Sequence, residues 1–353
     1  MSRIHRMQLP REIIVGRGSI EMVGSVCNDL GFTRKALIIA GESTFEVAGR
    51  RVKDILESEG LEVSEHIITS NIPTIRDVEL SEEKIKELRP QVVFGVGGGA
   101  KIDIAKLSSA RQGVPFVSIP TTASHDGIAS PFASLKGLSK PYSILAQSPI
   151  AVIADTEVII KTPYRFIASG CGDVIAKFTS TRDWKLAHER RNEYYAQYTA
   201  SIALMSAQHI VEHSNLIKPN SEEGLRALLE SLVSCGIAMG IAGSSKPCSG
   251  SEHLFSHALD LIAPKPALHG EQCGIGAIMM ALLHGLDWNS IKETLRKVGA
   301  PVTANEIGIE PRYIIEALVR APEIRPDRYT ILSEKPLNYE RARSLAKETG
   351  VIN

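Results

Sequence analysis

A chain of 353 residues exceeds what one ordinary hydrophobic core serves, so two domains are expected. Its 43% hydrophobic and 23% charged residues are those of a soluble globular protein, and forty basic side chains cancel forty acidic ones. That balance excludes a global field that would attract nucleic acid or an anionic membrane, so an anionic ligand must be held by a local site. In chain order, MSRIHRMQLPREI has no apolar signal core, and no later apolar run approaches membrane-spanning length. REIIVG reads as a strand before SIEMVGSVCNDLG, a helix pattern closed by Gly31. KALIIAG precedes the helical STFEVAGRRVKDILESEG, and LEVSEHIITS precedes LSEEKIKELRP. QVVFGVGGG with its helix, VPFVSIPTT and PIAVIADTEVI complete the series. Buried strands alternating with helices predict a mostly parallel α/β sheet, and Ser124 to Ser148 breaks the rhythm as a hairpin excursion.

After about Lys161 strand signals almost vanish. PYRFIASGCGDVIAKFTSTRDWKLAHERR, NEYYAQYTASIALMSAQHIVEHSNLI and SEEGLRALLESLVSCGIAMGIAG read as long helices, followed by EHLFSHALDLIA, EQCGIGAIMMALLHG, SIKETLRKVG and NYERARSLAKETG. The expected architecture is an α/β domain over 1–160 and an all-α domain over 161–353, with the site in the cleft between them. Five cysteines, Cys27, Cys171, Cys235, Cys248 and Cys273, are never spaced CxxC. That argues against a disulfide framework or thiolate zinc site and suits a cytoplasmic protein.

Gly97, Gly98 and Gly99 join a buried strand to a helix, where the backbone can approach a phosphate and the helix start offers free N–H groups. Gly95, Gly97 and Ala100 also satisfy GxGxxG/A. The acid expected about twenty residues on is missing, and this is not the first βα turn, so the dinucleotide fingerprint is discounted. Thr121, Thr122 and Ser124 place hydroxyls after the next strand, and Asp126 adds a carboxylate able to accept from substrate hydroxyls. Glu42 either accepts from an adenosine ribose or caps the following helix. Asp173 follows Gly170 and Gly172; it caps a helix, or the small neighbours leave room for a ligand.

His209 and His213, with Glu212, match the inverted zinc-peptidase motif H-x-x-E-H, a metallopeptidase alternative that leaves the glycine turn unexplained. Ser249 and Glu252 have capping-box spacing, which starts a helix at Ser249 and puts His253 and His257 on one face. His269 follows the Pro264–Pro266 break. Asp173 plus two of these histidines would give three ligands and an open position, the pattern of a catalytic zinc.

In this order GGGAKIDIAK, PTTASHDGIASP, SGCGD, SEHLFSHALD and LHGEQ resemble the archaeal sn-glycerol-1-phosphate dehydrogenases, relatives of glycerol dehydrogenases, iron-containing alcohol dehydrogenases and dehydroquinate synthase. The resemblance spans nearly the whole chain. It implies a dehydroquinate synthase-like fold, a dinucleotide-binding N-terminal domain and a helical metal- and substrate-binding domain. It implies that Gly97, Gly98, Gly99, Ala100 and Lys101 cradle the pyrophosphate of NAD(H) or NADP(H). Ile119, Pro120, Thr121, Thr122 and Ser130 then line the rest of the cofactor. Asp173, His253 and His269 match the ligands of one Zn2+ per subunit, while Asp126 and His257, with Asp173, match catalytic and substrate-contacting positions. The implied reaction is reversible reduction of dihydroxyacetone phosphate to sn-glycerol 1-phosphate, the backbone of archaeal membrane phospholipids, by a homo-oligomer. A dehydrogenase of unphosphorylated glycerol is the nearest alternative.

Overall fold

The computed structural model describes the chain apart from residues 1–4, 6, 71 and 136–141. Six parallel strands form one sheet: β1 (Glu12–Gly16), β2 (Lys35–Ala40), β3 (Glu62–Ile67), β4 (Val92–Gly97), β5 (Phe116–Pro120) and, after the excursion, β8 (Ala151–Asp155). Their order is β1-β8-β5-β4-β2-β3. The alternation of strand side chains feeds two cores: Ile38, Phe94 and Ile119 pack on one face, Leu37, Ile39 and Val93 on the other. Every residue of β4, β5 and β8 is buried, which is why these runs read as unbroken apolar stretches. From β2 the chain passes outward to β3 and then returns to β4 on the other side. The carboxyl ends of β2 and β4 therefore flank a crevice, the place where open α/β sheets bind ligands.

The excursion is an antiparallel ribbon of β6 (Phe132–Leu135) and β7 (Tyr142–Leu145); the residues joining them lie outside the described ones. Asp103 and Lys106, paired at 3.1 Å and buried, anchor it. Lys106 donates to Gly127 O and Phe132 O, and Asp103 accepts from Ser134 N–H at 2.9 Å.

Beyond β8 the described chain is helical. The long helix expected from PYRFIA to HERR is two, Tyr164–Ile175 and Lys177–Arg191, turning at Ala176. Helix Pro311–Ile324 was not among the helices expected; Pro311 opens it, where the missing N–H would be unpaired in any case, and Pro322 lies in its last turn. One correction concerns apolar length. Glu222–Ala242 is long and apolar enough to cross a membrane, with mean hydropathy 1.5, but 72% of that window is buried. Its Leu225, Leu228 and Leu232 belong to the main helical core.

Candidate active site

The glycine turn closes β4 against β5, with Gly97 opposite Pro120 and Thr121 N–H donating to Gly97 O at 3.0 Å. Helix Gly99–Arg111 starts there on Gly98, and no side chain caps it. The free N–H groups of its first turn and the positive end of the dipole therefore face the cavity. Side chains are crowded out at Gly97 and Gly99. A Cβ on Gly97 would stand 2.8 Å from Lys101 Cβ, and one on Gly99 only 1.8 Å from His125 Nε2. Lys101 turns its ammonium to Ser70 O and lines the crevice beside Gly41 to Thr44.

A cavity of about 660 Å³ runs from this crevice to the helical half. It is lined by Gly98, Gly99, Ala100, Lys101, Thr121, Thr122 and Ser130, while Gly97, Ile119 and Pro120 are buried beneath it. Ile119 points into the sheet core, so those three shape the floor rather than line it. Glu42 lines the cavity too. It does not cap its helix: Gly41 is the N-cap, and Thr44 Oγ1 accepts from Gly41 N–H.

At the other end the same cavity reaches Asp126, His253, His257 and His269. Asp173 lies behind them, fully buried inside helix Tyr164–Ile175 and capping nothing. The glycines around it serve backbone approach rather than ligand room. A Cβ on Gly170 would stand 2.1 Å from Ala123 O, and one on Gly172 2.2 Å from Gly270 O. Helix Tyr164–Ile175 can therefore lie against the start of helix His269–His284, which brings Asp173 to His269. Gly172→Ala should force the helices apart and cost about 1–3 kcal/mol, read as a lowered urea midpoint; an unchanged midpoint would contradict this packing.

Helix Ser251–Ile262 starts two residues later than its capping-box spacing suggests, with Gly250 as N-cap. Asp183 Oδ2 accepts from both Ser251 N–H and its hydroxyl, while Glu252 reaches back to Gly250 N–H at 2.7 Å. The same Glu252 oxygen stands 2.8 Å from His253 Nδ1. That contact fixes the ring and turns Nε2 inward, as outer-shell carboxylates do for metal-binding histidines.

His253 Nε2 is 3.4 Å from Asp173 Oδ1. Two donors on one tetrahedral zinc stand roughly 3.3–3.4 Å apart, so the spacing fits. Donor atoms of Asp173, His253, His269 and Cys273 all lie within 4.8 Å of one another. Cys273 was missed by sequence reasoning. Its Sγ is 3.5 Å from His269 Nε2, and the available signal was its position one helical turn after His269. Burial and the charge of His253 push the His269 imidazole well below its usual range, so it stays neutral and able to ligate. Burial pushes the Asp173 carboxyl up, but Lys177 and His253 outweigh it and hold the group ionised.

Lys177 is the second residue the sequence did not disclose. Fully buried, its Nζ stands 2.8 Å from both Asp173 Oδ1 and Asp126 Oδ2. Asp126 N–H also donates to Asp173 Oδ2 at 2.8 Å, so one ammonium and one amide bind the loop after β5 to the helical half. In metal-free protein, Lys177→Met should leave two carboxylates facing each other and destabilise by about 3–5 kcal/mol; a loss below about 1 kcal/mol in urea unfolding would refute the pairing. His257 lines the cavity one turn beyond His253, its ring centroid 5.9 Å from that of His269 and Nδ1 4.0 Å from Asp260 Oδ2.

His209 and His213 stack on each other, centroids 4.0 Å apart, and lie away from the cavity. Among the described residues no third donor joins them, which removes the peptidase alternative.

A parallel nucleotide-type sheet joined to a helical half, with a glycine turn and an Asp/His/His cluster in one cavity, defines a polyol and alcohol dehydrogenase fold. Residues 14–163 match the model of the iron-containing alcohol dehydrogenases. A glycerol dehydrogenase structure from Schizosaccharomyces pombe superposes with TM-score 0.82 at 20% identity, covering 99% of this chain and 91% of that one. A probable glycerol dehydrogenase from Sinorhizobium meliloti gives 0.80 at 19%, covering 99% and 100%. Among sequences, the glycerol-1-phosphate dehydrogenase of Methanosarcina barkeri, with NAD(P)+ in its name, is 53% identical over 98% of this chain and 97% of its own. That of Thermococcus kodakarensis is 53% identical over 99% of each. The chain belongs to the glycerol-1-phosphate dehydrogenase family.

Proposed function

We propose that this protein is an NAD(P)-dependent oxidoreductase that reversibly reduces dihydroxyacetone phosphate to sn-glycerol 1-phosphate. Identity of 53% over nearly the full length of relatives that bear that name carries the reading. The uncapped helix start and Lys101 hold the cofactor pyrophosphate, with Thr121, Thr122 and Ser130 along its course. Gly97, Ile119 and Pro120 act through the backbone that positions them. Asp173, His253 and His269 would hold one zinc ion, which when bound would supply Lewis-acid polarisation of the substrate carbonyl. A nicotinamide cofactor held in the cavity would supply the hydride, and this space between the two halves, divided near residue 160, is common to it and the substrate.

His257 moves the proton between substrate oxygen and solvent, and Asp126, held by Lys177, orients a substrate hydroxyl. Formation of the lipid backbone in the cytoplasm, by a homo-oligomer, completes the reading. It is tested by supplying dihydroxyacetone phosphate and NADH and resolving the enantiomers of the product. The 1-phosphate is expected; the 3-phosphate, or no glycerol phosphate, would overturn the assignment.

A further inference from the structure

The loop that precedes the helix of His253 forms part of the cavity wall, and Ser245, Cys248 and Ser249 line it. Directly behind them lies Arg328, 6% exposed. One terminal nitrogen donates to Ser249 O and the other to Ser245 Oγ at 2.9 Å, while Nε has no partner. No carboxylate forms an ion pair with this guanidinium among the described residues. The neighbouring acids are committed elsewhere: Asp327 to Arg325 at 3.6 Å, Asp183 to Ser251, His284 and Ile331, and Glu252 to Gly250, His253 and Thr179. Lys246, in the same loop, is paired with Glu193.

A buried cation held only by neutral oxygens is costly, and the arrangement becomes favourable when an anion approaches. Burial pulls the Arg328 pKa down only to about 10, so the charge persists at neutral pH. Ser245 transmits it. Its oxygen accepts from Arg328, and its own proton has no acceptor among the described residues. A hydroxyl polarised in this way is a strong donor toward the cavity.

We propose that Ser245 and Ser249, backed by Arg328, form the subsite for the substrate's phosphate monoester and set the preference for phosphorylated over free dihydroxyacetone. This rests on the functional reading above and supplies the anion recognition that reading lacks. The glycine turn belongs to the α/β half, whereas this loop adjoins the metal-binding residues of the helical half. Two phosphate sites, one for cofactor and one for substrate, therefore face one cavity. Ser245 is the contacting residue and Arg328 a positioning residue.

The experiment measures kcat/KM for dihydroxyacetone phosphate and for dihydroxyacetone, each with NADH and with NADPH, in the zinc-loaded wild type, Ser245→Ala and Arg328→Lys. Ser245→Ala should lower the ratio of phosphorylated to free substrate at least tenfold. Its loss should fall on KM for the phosphate ester rather than on kcat. Arg328→Lys should shift the ratio in the same direction; if it does not fold, Ser245→Ala decides alone. An unchanged ratio in Ser245→Ala overturns the subsite. So does a loss confined to the NADPH-over-NADH preference, which would give the pocket to the cofactor. A wild type indifferent to the phosphate would defeat the functional reading, and the subsite with it, whereas a selective wild type with unaltered variants defeats the subsite alone.

Discussion

Asp173→Asn should lose most of its bound zinc and lower turnover on the order of a thousandfold. Lewis-acid stabilisation is worth several kcal/mol, and each 1.36 kcal/mol is tenfold in rate. Its other contacts, the ion pair with Lys177 and the bond accepted from Asp126 N–H, bear on folding rather than on turnover. It caps no helix, it is wholly buried, and its Oδ1 is aimed at His253 Nε2 across 3.4 Å. An amide in its place can still accept from Asp126 N–H, so the helix and the loop after β5 should remain in place. Zinc analysis beside circular dichroism separates metal loss from unfolding. A folded variant with full zinc and turnover within twofold of wild type would remove Asp173 from the ligand set.

His257→Ala should show the opposite pairing of results: zinc retained, turnover lower by about 10²–10⁴-fold, the usual worth of a positioned proton-transfer group. His257 shares a helix face with His253 and borders the cavity, yet the clustered donor atoms are those of Asp173, His253, His269 and Cys273. Two histidines one turn apart thus have different partners. Glu252 orients His253 toward Asp173, whereas His257 has Asp260 beside it. Loss of zinc from His257→Ala would move this residue into the metal shell.

How far the sequence disclosed this arrangement depended on the range of each interaction. Alternating β-branched runs and amphipathic segments marked all six sheet strands. Burial on both faces leaves a near-continuous apolar run in β4, β5 and β8, while the half-buried edge strands β1 and β3 show only short or isolated β-branched stretches beside polar residues. The glycine turn was legible for the same local reason. Contacts between distant segments were not. Gly170 and Gly172 read as room for a ligand, but what they admit is the backbone of Ala123 and Gly270. Lys177 lies one turn after Asp173 and was passed over, since nothing local shows that Asp126 returns to meet it. Cys273 was weighed only against cysteine–cysteine spacing, although its partner is a histidine four residues back. Ser249 had the right spacing for a cap, yet Asp183 took that role from another helix.

The central claim joins a hydride-transfer cofactor, a zinc site and a phosphate-bearing substrate in one cavity. Steady-state oxidation of NADH by the purified, zinc-loaded protein, with dihydroxyacetone phosphate against dihydroxyacetone, tests it most directly. A site that recognises a charged group should favour the phosphate ester by at least about a hundredfold in kcat/KM, and chelation should abolish both activities. Equal rates with the two substrates, or turnover untouched by removal of the metal, would contradict it.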